Sequence, residues 1–317
     1  MTPPFGPPLV LIDVGASGGA PARWRGLGDK AEIIGFEPDR RAAETMKPEP
    51  GVRYLNVALY SHTGKIRLYL TRKQECSSVF PPNRALLDHF PEADRLDVIG
   101  TEEVDVDTLD RQMIEARIED ADFIKLDVQG AELAVLQGGR TTLGDRLVGV
   151  QAEVSFVPLY EGQPLFAEVD IFLRQLGFEL FDLSSEYWKQ GPKPMAGSAR
   201  GQLIFADAVY LKSVEATVAM VARLPESERA GKALKAAAVA ALYGYQDRGI
   251  QLLEACRGFL DPESYASAVQ TLSGQVPLQR RIPDFPGRRK VSSLAYQAYR
   301  LLRPRNWADF PTRYNRG

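Results

Sequence analysis

The sequence is short of the residues that most often announce a function or a location. It has two cysteines and two histidines in 317 residues. Cys76 and Cys256 lie 180 positions apart. Two cysteines make no disulfide framework, which points to a reducing compartment. No run approaches the roughly 18 uninterrupted apolar residues that span a bilayer. The stretch Met1 to Pro8 carries no base and no long apolar run, so no signal peptide is expected and a cytoplasmic location is. His62 and His89 read as ordinary loop residues rather than as a base or a ligand.

What is present describes a folded chain. Hydrophobic residues make up 44% and charged residues 25%, enough for the core of one large domain or two medium ones. The formal net charge of -2 averages two unlike regions. Residues 275–317 hold ten Lys and Arg against Asp284 and Asp309, a net +8, which leaves -10 on the rest. An acidic body carries a basic tail.

Strand signals recur along the first two thirds. They are Leu9 to Ile12, Ile33 to Phe36, Val52 to Val57, Phe123 to Leu126, Val148 to Val154, Phe178 to Leu183 and Gln202 to Leu211. Helix-sized segments separate most of them. Pro164 to Leu176 has apolar residues at helical spacing, with Pro164 suited to a first helical position and Gly177 as a stop. Asp107 or Thr108 can cap a helix running to about Arg117, and Ala131 to Gln137 is a short helix closed by Gly138-Gly139. This alternation predicts an α/β fold with a mostly parallel sheet covered on both faces. Three segments are expected: residues 1–212 as the α/β domain, 213–274 as an alanine-rich helical module, and 275–317 as a basic linker and amphipathic tail.

Asp13-Val14-Gly15-Ala16-Ser17-Gly18-Gly19 follows the first strand directly. Glycines at such a turn admit a ligand to the backbone and to helix N–H groups. Glu37 ends the second strand, 22 positions after Gly15, where an acid can accept hydrogen bonds from both ribose hydroxyls of a nucleoside. Loop and acid together favour a nucleoside cofactor without separating NAD from S-adenosylmethionine. Asp13 favours the second. A carboxylate before the glycines repels a pyrophosphate but suits an amino or sulfonium group.

Lys125 and Asp127 alternate on one strand and point to the same side. A lysine in an apolar strand needs a partner, and Asp127 or Glu132 can serve. Glu153 poses the same question on the next strand. Asp127, Glu132 and Glu153 suit Mg by ligand chemistry, but their spacing carries no dedicated signature and no metal is assigned.

These motifs stand in the order found in the FkbM family of S-adenosylmethionine-dependent methyltransferases, which the chain resembles over residues 9 to 211. The resemblance rests on Asp13 to Gly19, Gly35-Phe36-Glu37-Pro38, Asn56-Val57-Ala58-Leu59 and Asp105 to Asp110. It continues through Phe123 to Glu132 and Glu153 with Pro158 to Gly162. Ser17 stands where the family often has Asn, and Gln129 where Glu is common. The resemblance implies a Rossmann-like class I methyltransferase fold with a mostly parallel seven-stranded sheet, here with a C-terminal α-helical extension. It implies that Asp13, Gly15, Ala16, Ser17 and Gly19 hold the methionine part of S-adenosyl-L-methionine, with Glu37 and the adjoining Pro38 at the ribose. Asn56, Val57 and Ala58 would border the adenine, and Asp127 would lie near the methyl end.

Methyl transfer to a hydroxyl needs alignment and a proton acceptor. Asp127 and Glu153 are the candidates, and Lys125 would hold one of them ionised or orient the acceptor. Tyr160 is a candidate for the acceptor site or for packing under a loop. The family resemblance makes a sugar hydroxyl in a glycan or glycolipid the expected acceptor. A nicotinamide-dependent oxidoreductase and a non-catalytic, membrane-recruited adaptor with this fold are the alternatives.

The tail has its own logic. Arg280, Arg281, Arg288, Arg289, Lys290, Arg300, Arg303 and Arg305 flank or line an amphipathic helix over 291–302, with Tyr296, Tyr299 and Trp307 nearby. That composition suits an anionic membrane surface at the inner face of the membrane. A helix packed on the acidic body is the other reading. Nucleic acid is not expected, because the acidic body repels it.

Overall fold

The computed structural model describes residues 8–17, 19–39, 41, 49–191, 201–274, 285–302 and 308–309. Its main sheet runs β3-β2-β1-β7-β8-β10-β9, with a two-residue strand, β11 (Ala308–Asp309), on the β9 edge. The strands are β1 (Leu9–Val14), β2 (Ala31–Phe36), β3 (Val52–Leu55), β7 (Phe123–Leu126), β8 (Gly149–Ser155), β9 (Phe178–Trp188) and β10 (Gln202–Lys212). The pairs from β3 to β8 are parallel, and β10 pairs antiparallel with both β8 and β9. The seven expected strands are therefore all present, in a mostly parallel, Rossmann-like sheet. The chain turns back between β1 and β7, and open α/β sheets bind ligands at such switch points.

Alternation along the central strands builds two cores. Val10, Ile12 and Val14 face one side with Ile124, Val150 and Ala152, under the helices Leu109–Glu115, Glu132–Gly138, Arg140–Asp145 and Phe166–Gln175. Leu9 and Leu11 face the other with Phe123, Val148 and Leu211. That second face is covered by residues 214–273. Met220 and Val221 come from helix Val214–Arg223, and a row of buried alanines from helix Glu226–Leu242. Ala236, Ala237 and Ala240 are almost wholly buried, and small side chains let this helix lie close to the strands. Ser213 and Asp261 cap the helices that follow them by accepting from Ala216 N and Ser264 N.

Several boundaries differ from expectation, each for a local reason. Helix Phe166–Gln175 begins two residues past Pro164, because the Glu168 side chain accepts from Leu165 N and fixes the start there. The expected strand Val52 to Val57 is divided. Asn56 leaves the main sheet, its side-chain amide donating to Glu37 O at 3.0 Å. Ala58–Leu59 (β4) then joins a second sheet, ordered β4-β6-β5, with β5 (Gly64–Thr71) and β6 (Val98–Asp107). That second sheet was not expected. The helix near the tail begins at Arg288, and residues 289–298 are exposed along its length, so that stretch is not packed on the body. Arg280, Arg281, Arg303, Arg305 and Trp307 lie outside the described residues, as does Gly18.

Candidate functional site

The site forms at the carboxyl ends of β1, β2, β7 and β8. Gly15 follows β1 with φ +78°, a left-handed backbone that glycine adopts at little cost. Its N–H and that of Ala16 reach Phe36 O at 3.0 and 3.4 Å, tying the β1 loop to the end of β2. A Cβ on Gly15 would sit 1.9 Å from Asp127 O, so only glycine lets the loop lie against the end of β7. Gly19 also has positive φ, and its N–H reaches Ala16 O at 2.9 Å. Ser17 turns its N–H toward the Glu37 carboxyl.

Asp13 is 1% exposed, and neither of its carboxyl oxygens accepts a hydrogen bond. Lys125 Nζ stands 3.4 Å from Oδ1 as an ion pair. Burial pushes the Asp13 pKa up to about 6, against the pull of Lys125. A buried carboxyl with open acceptor positions is costly unless a ligand completes it. Glu37 is also buried, and burial raises its pKa to about 7 although Asp39 N donates to it at 2.8 Å. Burial opposes the charge on Lys125, but Asp127 and Asp13 outweigh it and hold its pKa above the ordinary value.

Asp127 extends the β7 line, its N–H reaching Val14 O at 3.0 Å. Its side chain is 42% exposed and lies 3.6 Å from Lys125 Nζ. Glu153 lies one strand away. Burial first, then the carboxyls of Asp127, Glu132 and Asp207, raise its pKa well above the ordinary value. Glu132 accepts from Val128 N and Gly130 N, and burial pushes its pKa to about 7.

The structure thus brings Asp13, Gly15, Ala16, Ser17, Glu37, Lys125, Asp127 and Glu153 to one edge. Pro38 and Asn56 adjoin it, since Asn56 Nδ2 donates to Glu37 O and lies 3.4 Å from Pro38 O. Val57 packs against the first core, and Ala58 is buried among Leu68, Val104 and Val106 of the second sheet. No group of three or more carboxylate, His or Cys side chains among the described residues is arranged to hold a metal.

Sequence reasoning missed one member. The Gln129 amide donates to Asp127 Oδ1 at 2.9 Å and Glu153 Oε1 at 3.3 Å. An amide two residues from Asp127 was the available signal. Tyr160, a candidate for the acceptor site or for packing under a loop, is buried with its hydroxyl 2.8 Å from Gln129 Oε1 and 2.9 Å from Cys76 O.

The family model for the methyltransferase FkbM domain matches residues 13–180, just over half the chain. The chain belongs to the FkbM methyltransferase family. It is 33% identical over 174 residues to the 2-O-methyltransferase NoeI of Sinorhizobium fredii, covering 52% of this chain and 71% of that protein. Among solved structures it is similar to magnesium protoporphyrin IX methyltransferase from Synechocystis with bound S-adenosylmethionine. That likeness has a TM-score of 0.33 at 11% identity, over 65% of this chain and 71% of the other. A methyltransferase from Anabaena variabilis aligns with a TM-score of 0.33 at 14% identity, over 66% and 79%.

Membership in the FkbM family makes the protein an S-adenosylmethionine-dependent methyltransferase and sets aside the oxidoreductase and adaptor readings. The residues present fit that cofactor. Asp13 offers two unfilled acceptor oxygens to a cationic group, and Gly15 and Ala16 leave the loop free of bulky side chains.

Proposed function

We propose that this methyltransferase O-methylates a sugar hydroxyl in a glycan or glycolipid. The observation that carries the reading is the unequal pair of carboxyls at the open end of β7 and β8. Asp127 is partly exposed beside Lys125, whereas burial and neighbouring carboxyls push the pKa of Glu153 well above the ordinary value. The similarity to a protein named as a 2-O-methyltransferase supports the hydroxyl acceptor.

When bound, S-adenosylmethionine supplies a methyl group already activated on a sulfonium. Asp13 would face the cationic amino acid end, and Glu37 would accept from the ribose hydroxyls. Pro38 and Asn56 would border the adenine side. Asp127 would accept the proton of the acceptor hydroxyl at a carboxylate oxygen, with Lys125 holding that carboxylate in place. Glu153 would stand beside Asp127, joined to it through the Gln129 amide.

The test uses labelled S-adenosylmethionine with cell-envelope and glycan extracts. Label should enter a glycan or glycolipid fraction, and Asp127→Asn should lower transfer by roughly a hundredfold or more while cofactor binding persists. Label entering protein or nucleic acid instead would sink the sugar reading. Normal turnover by Asp127→Asn would remove Asp127 from the chemistry.

A second reading concerns location. No helix among the described residues is long and apolar enough to cross a membrane. Helix Arg288–Leu302 contains no acid, and Val291 and Leu294 are 55% and 65% exposed beside the basic residues at its start. We infer that this helix and the flanking bases over 280–307 bring a cytoplasmic enzyme to the anionic inner face of a membrane. Sedimentation with phosphatidylglycerol vesicles at low salt tests this. Binding lost in a chain truncated after Gly274 supports it, and a full-length chain that stays in the supernatant overturns it.

A further inference from the structure

We propose that Gln129 is a positioning residue whose amide holds Asp127 and Glu153 as an unequal pair of carboxyls, giving Asp127 the shorter hydrogen bond. The inference rests on the reading of Asp127 as the carboxylate at the methyl end of the cofactor, where it accepts the proton of the acceptor hydroxyl and faces the sulfonium.

Three observations fix the amide. Gln129 has φ 51°, one of three non-glycine residues with left-handed backbone among the described residues. Such a conformation persists where its surroundings enforce it. Ser78 Oγ does so by donating to Gln129 O at 2.7 Å. The side chain is set from the other side by Tyr160, whose hydroxyl is 2.8 Å from Oε1. The opposite amide orientation would turn Oε1 against the Asp127 carboxylate. With Nε2 turned inward, one NH2 group serves both acids, at 2.9 Å to Asp127 and 3.3 Å to Glu153.

A hydrogen bond to a carboxylate favours its charged form. Asp127 takes the shorter of the two bonds, and burial and the neighbouring carboxyls raise the pKa of Glu153. The groups that face this pair are Lys125 on β7, Asp13 on β1, Glu132 on the next helix, Asp207 on β10, and Tyr160 and Cys76 above. Lys125 is the cation among them, and it already pairs with Asp13 and Asp127. Gln129 therefore supplies a neutral donor where another carboxylate would add repulsion.

The experiment compares S-adenosylmethionine with S-adenosylhomocysteine by calorimetry at one fixed pH. The two ligands differ by the methyl group and its positive charge. The ratio of their Kd values therefore reports charge facing the sulfur, while effects of Glu37 at the ribose largely cancel. Asp127→Asn comes first and should cut the preference for the charged ligand roughly tenfold. If it does not, the reading of Asp127 itself falls, and this inference with it. Given that result, Gln129→Met and Gln129→Asn should each cut the same preference by about threefold to tenfold. Affinity for S-adenosylhomocysteine should stay within about twofold of wild type. Asn tolerates the left-handed backbone but is too short to bridge both acids, so it decides the matter if the Met variant does not fold. An unchanged preference, with Asp127→Asn behaving as expected, overturns the role of Gln129 alone.

Discussion

Two clusters of buried charge sit at opposite ends of the same strands, and they are built on opposite plans. At the amino end of β7, Asp120 and Asp122 meet Lys232 and Lys235 from helix Glu226–Leu242 at 2.6 to 3.0 Å. Asp122 also accepts from Val10 N at 2.8 Å. Two acids are matched by two ammonium groups, and every charge has a partner. At the carboxyl end, Asp13, Glu37, Asp127, Glu132 and Glu153 gather around Lys125. There the pKa values of Asp13, Glu37, Glu132 and Glu153 are all raised. The matched cluster fastens the helical segment to the sheet. The unmatched one leaves unfilled negative potential at the edge proposed for the cationic cofactor, so on that reading the same ingredient serves stability at one end and binding at the other.

The largest effect should come from breaking the matched cluster. Asp122→Ala leaves Lys232, which is 2% exposed on its side chain, short of a partner and Val10 N without an acceptor. Urea unfolding should show a loss of about 3–5 kcal/mol. A loss under about 1 kcal/mol would erase the distinction between the two ends.

Asp13→Asn is the counterpart at the unmatched end. It removes a strained buried charge, so stability should change by no more than about 1 kcal/mol, while affinity for S-adenosylmethionine falls at least about tenfold. Equal damage to stability and binding would mean that Asp13 is structural.

The smallest effect is in the pH dependence, where the two ends have opposite signs. Glu37 and Glu132 near 7 and Asp13 near 6 are raised above unfolded values of about 4. Their contribution to stability is complete below about pH 4 and is lost as pH rises through 6 to 7. Burial raises the Asp120 pKa, but Lys232 and Lys235 outweigh it and hold it below the ordinary value. Its contribution is therefore present above about pH 4 and lost as pH falls further. Melting between pH 8 and 5.5 should thus show a Tm that rises by a few degrees toward the acid side, and Glu37→Gln should flatten that rise. An identical slope in the variant would take Glu37 out of the account.

Much of this was legible in the chain itself. The strand series, the Asp13 loop, Glu37, and the alternation of Lys125 with Asp127 all lie in local patterns with a fixed period. What was not legible depends on distance or on an untypical surface. β5 and β6 carry charges on their open face, with Lys65, Arg67, Glu103 and Asp105 among them, so no apolar run marks them as strands. Lys232 reads as one polar residue in an alanine-rich helix until the fold brings it to Asp122, 110 positions away. Gln129 stands where the family commonly has Glu; its importance lies in four partners, Ser78, Asp127, Glu153 and Tyr160, that only the fold brings together. The start of helix Phe166–Gln175 was misjudged because a proline suggested it, while a side-chain hydrogen bond one residue later determined it.

The close-lying alanine helix ends at Tyr243, whose ring stacks on Phe123 at 4.5 Å between centroids. The Tyr243 hydroxyl meets Trp24 Nε1 and Gln151 Oε1, each at 3.3 Å, and Gln151 is the register neighbour of Lys125. The family match stops at residue 180, yet the underside of the edge proposed to bind the ligand is sealed by a residue beyond it. A graft that carried residues 13–180 onto a foreign C-terminal half would inherit the catalytic signature but not its foundation.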